Sequence, residues 1–335
     1  MDTALLFLIL SETVGYLLWI FFTKKGNSFY RNITSTLMFL VALFILYRVF
    51  ILNLDFGLVL LIATILAAIS WVAGSLLTID ELRKESKSYF FILLVITCIR
   101  SFAYEPYQIP SRSMVPGLQV GDFVLVNKYA YGLKFPGTNY LLTELRKPKR
   151  NDVAVFTPPH TLCDATYLDA RPDLTAAESQ KFLKDFIKEQ TVKCSTNGIK
   201  YVKRVIGVPG DVVEIKGYEI WINGKKLKQE VISDIDAESL IDGEPLIDGE
   251  SFLREIIDDE VHVIRTLGTK EFHQHKWTIP EGKYLAIGDN RDNSLDSRAW
   301  GYFSEDKLVG KAEYIWLHWR SFSDAPTFTR NQKIN

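Results

Sequence analysis

Residues 56–79 of this 335-residue chain, FGLVLLIATILAAISWVAGSLLTI, run for 24 positions without a charge. A helix needs ~20 apolar residues to cross the ~30 Å of a bilayer's hydrocarbon, so this stretch predicts a membrane span. Three further stretches follow the same pattern. Residues 3–22 carry only Glu12, residues 33–52 only Arg48, and residues 88–104 only Arg100, near their end. The last is short, and its arginine must snorkel toward the surface. Stretches of this length in succession disfavour buried helices of a water-soluble core. A cleaved N-terminal leader is disfavoured too, because no basic residue precedes the first stretch and more apolar stretches follow it.

The charge distribution divides the chain at the same place. The first 104 residues hold 14 of the 79 Asp, Glu, Lys and Arg residues, and the remaining 231 hold 65. A net charge of −1 disfavours a nucleic-acid binder built on a broad basic face. Lys24, Lys25 and Arg31 lie in the first connection and Arg83, Lys84 and Lys87 in the third, while residues 53–55 have no basic residue. The positive-inside rule places the first and third connections in the cytoplasm. Four spans then put the N-terminus and everything after residue 104 outside. Three spans, with the fourth stretch in the interface, would leave the back half inside; four fit the charges better. The division expected is a membrane anchor over 1–104, a β-rich domain over 105–320 and a C-terminal tail over 321–335.

Beyond residue 106 the pattern becomes short alternating or apolar runs between Gly, Pro and Asn. DFVLV (122–126), DVAVF (152–156), YVKRVIG (201–207), DVVEI (211–215), YEIWI (218–222), VHVIR (261–265), KYLAI (283–287) and VGKAEYIW (309–316) read as strands. Lys216-Gly217 and Asn223-Gly224 fall where tight turns belong, so 211–228 reads as a meander. The fold class expected is N-terminal transmembrane helices followed by a mainly antiparallel, partly barrel-like β domain. Two insertions interrupt it. Residues 157–200 include an amphipathic helix at 170–190 and two cysteines, Cys163 and Cys194, which on the outside could form a disulfide or remain two thiols. Cys98 reads as an inert apolar residue. Residues 229–260 contain the acidic repeat LIDGEPLIDGE, where Ser239 and Pro245 break the spacing of a calcium loop; a solvated, flexible loop is expected.

Several catalytic signatures are absent, among them Walker A, H-E-x-x-H, C-x-x-C and G-x-S-x-G. His273 and His275 read as surface histidines rather than metal ligands, and no metal or cofactor is expected. Three segments are chemically suggestive. In QIPSRSMVPGLQVGD (108–122), Pro110 and Pro116 bracket Ser111 and Ser113; the segment is either a plain linker or a stiff turn aiming a hydroxyl. In YVKRVIGVPGDVVEI (201–215), Lys203 sits on a strand with buried alternate positions, where it snorkels or loses its proton. A neutral lysine is a competent general base. AIGDNRDNSLDSRAWG (286–301) reads as a surface loop or as an internally hydrogen-bonded loop under a site. Together they offer the parts of a Ser-Lys pair.

These segments resemble the motifs of the bacterial type I signal peptidase (leader peptidase) family, membrane-bound Ser-Lys endopeptidases. The family's S-x-S-M-x-P is similar to Ser111–Pro116, its Y-V-K-R-x-x-G-x-P-G-D to residues 201–211, and its G-D-N-R-D-N-S-x-D-S-R to residues 288–298. A weaker motif resembles residues 150–156, with Asn151 where Gly is usual, and Arg112 replaces a smaller residue between the serines. The resemblance covers about 105–320 and leaves out both insertions. It implies Ser113 as nucleophile and Lys203 as general base. The oxyanion hole would be formed by the Ser111 side chain with the Ser113 backbone N–H. It further implies that Ser294 orients the lysine, that Asp296 and Arg298 are a supporting pair, and that Met114 shapes the substrate pocket. The implied substrates are signal-peptide-bearing preproteins with small residues at −3 and −1, cut at the outer face of the inner membrane. Membrane phospholipids and the secretion machinery are the other partners implied. The rival readings are a penicillin-binding-protein-like enzyme, from Ser304-Glu305-Asp306-Lys307, and a non-catalytic subunit of a secretion complex with an outward β domain.

Overall fold

The computed structural model describes residues 3–51, 56–135, 140–162, 198–233, 240, 248–268, 275–321 and 323–334. Cys163, Cys194, the helix expected at 170–190, His273 and most of the acidic repeat lie outside them. The chain divides into two compact units, the first formed mainly by Met1–Ala103 and the second running from Tyr104.

The first unit consists of helices α1 (Thr3–Lys24), α2 (Ser28–Ile51), α3 (Phe56–Leu76) and α4 (Asp80–Phe102). The first three are long and apolar enough to cross a membrane, which is one fewer than expected. The stretch expected to begin at residue 88 is the second half of α4, a 23-residue helix. Its first eight positions, DELRKESK, carry six charges, with Asp80 and Glu81 in the first turn where the helix dipole favours them. Helices α3 and α4 form a hairpin, and a buried hydrogen bond joins the Thr64 and Thr97 hydroxyls at 3.0 Å. Gly74 permits the tight return, since a Cβ there would press on the backbone at Arg83. Phe91, Ile92, Val95, Ile96 and Ile99 of α4 are exposed.

In the second unit an antiparallel sheet carries the site. Its order is β1 (Tyr104–Gln108), β2 (Asp122–Asn127), β16 (Leu308–His318), β5 (Val153–Phe156), β6 (Tyr201–Gly207), β14 (Lys283–Ile287) and β15 (Phe303–Ser304). Short β17 (Gln332–Lys333) adds to β16, so the expected tail is docked; Arg330 also reaches Asp122 at 2.9 Å. Smaller sheets accompany it: β3 (Gly132–Lys134) with β4 (Leu141–Glu144), and β13 (His275–Thr278) with β7 (Val212–Lys216), β8 (Glu219–Ile222) and β9 (Lys225–Lys226). The meander is as expected, with Gly217 and Gly224 at positive φ in its turns.

The second insertion departs from the loop expected of it. Its ends are strands, β10 (Lys228–Val231) and β11 (Ser251–Ile257), which pair in one sheet with β12 (Glu260–Thr266). The acidic composition hid how far β11 is buried: Phe252 is buried on one face, and Glu255 and Ile257 on the other. Glu255 broke the apolar pattern because its partner, Arg291, comes from a distant segment.

Candidate active site

Strand β6 holds Lys203 opposite Ala154 of β5, and Arg204 opposite Val153 on one side and Ile287 on the other. Both are buried although adjacent residues of a strand face opposite ways, because residues 203–207 are covered on both faces. Lys203 is 4% exposed, and its amine lies 2.5 Å from the Ser113 hydroxyl, which is itself 9% exposed. The amine also donates to the Val202 carbonyl at 3.0 Å. The Ser111 hydroxyl stands 3.3 Å from that of Ser113. Burial is the main influence on Lys203, bringing its pKa down to about 8; Asp296 and Asp289 pull it up and Arg298 lowers it.

The Ser113 backbone is fixed by the loop that follows β14. Asn290 donates its backbone N–H to the Ser113 carbonyl at 3.1 Å, and its side-chain amide to the Arg112 carbonyl at 3.0 Å. Gly288 is needed for this approach, because a Cβ there would collide with the Ser294 side chain and the Ser113 carbonyl oxygen. The loop is anchored in turn by Arg204, which makes two hydrogen bonds to Asp289, at 2.8 and 2.9 Å.

Asp296 caps the short helix α6 (Ser297–Trp300; α5 is Pro159–Leu162), receiving the Arg298 backbone N–H. Its carboxylate also accepts from Gly288 N–H at 3.0 Å and from the Arg298 guanidinium at 2.8 Å. Burial alone would raise its pKa, but Arg298 and the N–H donors hold it below the usual carboxylate value. Arg298 continues to the Arg291 carbonyl at 2.7 Å. Ser294 is packed against Gly288, beside the Ser113 carbonyl, and its hydroxyl makes no hydrogen bond to the Lys203 amine. Met114 is 2% exposed, in a core cluster with Ile109, Leu118, Val153 and Val155. Ser304 and Lys307, the rival pair, lie on β15 and the following 3₁₀ turn.

Sequence reasoning missed several supporting residues. Asn151 has φ 70°, a left-handed conformation that Asn tolerates nearly as Gly does. Its side chain accepts from Arg204 at 2.9 Å and donates to Glu260 at 2.7 Å. The departure from Gly therefore keeps the backbone conformation and adds two hydrogen bonds. Arg291 pairs with Glu255 through two hydrogen bonds at 2.6 and 3.0 Å, and His262 Nε2 lies 3.3 Å from the same carboxylate. Asp211, the last residue of the Lys203 motif, accepts two hydrogen bonds from Arg150, at 2.7 and 2.8 Å.

A family model described as signal peptidase, peptidase S26, matches residues 82–319. Signal peptidase I of Buchnera aphidicola subsp. Acyrthosiphon pisum is 34% identical over 287 residues, covering 75% of this chain and 80% of its own. That of Pseudomonas aeruginosa is 32% identical over 277 residues, covering 75% and 81%. That of Haemophilus influenzae is 34% identical over 259 residues, covering 71% and 70%.

Proposed function

This chain belongs to the signal peptidase family, peptidase S26, and from that premise we propose that it removes signal peptides from exported preproteins with a Ser113–Lys203 dyad. The observation that carries the reading is the 2.5 Å approach of the Lys203 amine to the Ser113 hydroxyl in a buried setting. A buried lysine brought down to about 8 is neutral in a useful fraction near neutral pH. Neutral Lys203 takes the Ser113 proton as Oγ attacks the scissile carbonyl. The Ser111 hydroxyl and the Ser113 N–H stabilise the oxyanion. The resulting ammonium protonates the departing amine, and water, activated by the same lysine, hydrolyses the acyl-enzyme. Asp296 with Arg298 supports the loop that holds Ser294 beside the Ser113 carbonyl, and Met114 backs the pocket that takes small side chains at −3 and −1.

The chain is a membrane protein, and in this reading it is a multi-pass protein of the inner membrane with its second unit on the periplasmic face. Helix α4 then crosses as the fourth span. Its exposed Phe91, Ile92, Val95, Ile96 and Ile99 suit lipid, and Arg100 snorkels toward the outer surface. The exposed Tyr314, Trp316 and Phe328 of the second unit suit contact with phospholipid headgroups. The deciding experiment is cleavage of a purified preprotein by the full-length protein and by Ser113→Ala and Lys203→Ala. Cleavage by the parent alone is expected. Equal cleavage by either variant, or no cleavage by the parent, overturns the assignment.

A further inference from the structure

We propose that His160 is a positioning residue for the peptidase reaction, holding the Tyr201 ring as a seat for the Lys203 ammonium. The inference rests on the reading of Lys203 as general base. His160 lies on α5, at the start of the first insertion and outside the motifs that carry the family resemblance. It is fully buried. Its ring stacks on Trp300 at 5.7 Å and meets the Tyr201 ring edge-on at 5.3 Å, and its Nε2 is 3.3 Å from the Tyr201 hydroxyl. The Lys203 amine stands 5.3 Å from the centroid of that same Tyr201 ring. Three side chains from two separate segments thus lead from the base of the insertion to the reacting lysine.

The neck of the insertion is closed, so His160 has little room to move. Thr161 Oγ1 donates to the Pro158 carbonyl at 2.9 Å and accepts from Ile199 N–H at 3.0 Å, joining the outgoing and returning chain. Trp300 is itself packed on Phe156, with centroids 5.8 Å apart. The consequence for chemistry follows from when Lys203 is charged. As the Ser113 O–H bond breaks, the proton forms a new N–H bond on Lys203, and an ammonium appears beside the tyrosine ring. An aromatic face attracts a cation and is indifferent to a neutral amine. The ring therefore favours the state formed as Oγ bonds to the carbonyl carbon. The same ammonium gives up its proton to the leaving nitrogen as the C–N bond breaks.

His160 acts here without carrying charge. Burial, and then the nearby Lys203, push its pKa down to about 3, so it is neutral throughout the working range. The charged groups that bear on Lys203 are Asp296, Asp289 and Arg298, all from the loop after β14 and its helix. Replacing His160 by a neutral ring leaves that set unchanged, and comparison with the Tyr201 variants separates a shift carried by the Tyr201 ring from one caused by changed burial of the lysine.

The test is the pH dependence of kcat and kcat/KM for preprotein cleavage by the full-length protein in detergent or vesicles. It compares the parent with His160→Phe, Tyr201→Phe, Tyr201→Leu and the double variant His160→Phe/Tyr201→Leu. Melting temperatures show which variants are folded. Losing the ring's attraction makes the ammonium less stable, so the acid limb of the profile should move down by about half a unit to one unit, ~3–10-fold in the acid constant. Tyr201→Leu should give the full shift, His160→Phe and Tyr201→Phe a shift in the same direction, and the double variant no more than Tyr201→Leu alone. A folded His160→Phe or Tyr201→Phe whose acid limb stays in place overturns the proposal, even if its rate falls uniformly, because that is what a merely structural role gives. Full activity of Lys203→Ala would instead overturn the base assignment on which the proposal rests.

Discussion

The guanidinium of Arg204 and the carboxylate of Asp289 meet side by side, Nε to Oδ1 at 2.9 Å and NH2 to Oδ2 at 2.8 Å, with 3% and 2% of their side chains exposed. Arg204 follows Lys203 directly and Asp289 precedes Asn290, which holds the Ser113 carbonyl. One ion pair therefore sets the position of the strand carrying Lys203 against the loop that fixes Ser113. Removing one partner leaves the other buried and uncompensated, which costs ~3–5 kcal/mol. Asp289→Asn should lower stability to denaturant by about that much and reduce kcat together with it. Arg204→Lys should do nearly the same, since an ammonium cannot reproduce the two-point contact.

The second prediction concerns pH. Burial brings Lys203 down to about 8, and in the proposed mechanism it must be neutral to act. The Ser113-dependent rate should therefore rise about tenfold per pH unit well below 8 and level off above it. Stability changes with pH in the same direction as the rate, over a higher range. The folded pKa lies below the unfolded one, so stability present above about 10.4 is lost as pH falls toward 8, because the unfolded chain takes up a proton the native state refuses. A pH–rate profile of the purified protein checks the first statement, and an optimum at acid pH would contradict the mechanism.

Much of this arrangement was legible in the sequence. Ser113, Lys203 and Ser111 sit in motifs whose residue order is long enough to be specific, and the structure brings all three within reach of one another. The antiparallel strands were legible through period-2 alternation and turn glycines. What was not legible depended on pairing between distant segments. Glu255 looked like one more acid in a solvated loop, yet it lies under Arg291 of a different segment. Asn151 stood only as a departure from the usual Gly, and its hydrogen bonds to Arg204 and Glu260 have no local signature. His160 carried no signal either, because its partners Tyr201 and Trp300 are 41 and 140 positions away. The start of α4 was missed for another reason: hydropathy finds the apolar half of a helix, whereas its charged first turns carry Asp80 and Glu81 where the helix dipole favours them.

Glu255 gives the third prediction. Burial pushes its carboxyl up, but Arg291 and His262 outweigh that and hold it well below the usual carboxylate range. His262 is itself pushed down by burial and by Arg204. Both groups have folded pKa values below their unfolded ones, so both contribute stability that is lost on acidification. The His262 part fades as pH falls below about 6.5, and the Glu255 part as it falls below about 4.3. Glu255→Gln should cost ~3–5 kcal/mol at neutral pH by leaving Arg291 buried without its counter-charge. It should also flatten the acid limb of the stability curve. Urea denaturation of the parent and variant between pH 4 and 8 measures both effects, and an unchanged acid limb would show that the pair is not what couples this hairpin to the loop.

Ser111 provides the last prediction. Its hydroxyl lies 3.3 Å from that of Ser113 but is outside the short Lys203–Ser113 contact, so removing it leaves that contact in place. An oxyanion donor acts on charge that develops only as the carbonyl is attacked, so its loss falls on kcat and spares substrate binding. Ser111→Ala should lower kcat ~10²–10³-fold with KM within a few-fold of the parent. Ser111→Thr, which keeps a hydroxyl, should recover part of the loss. The pH profile of Ser111→Ala should keep its acid limb at the parent position, because Lys203 keeps its surroundings. A loss confined to KM would instead assign Ser111 to substrate binding, and a displaced acid limb would assign it to the lysine.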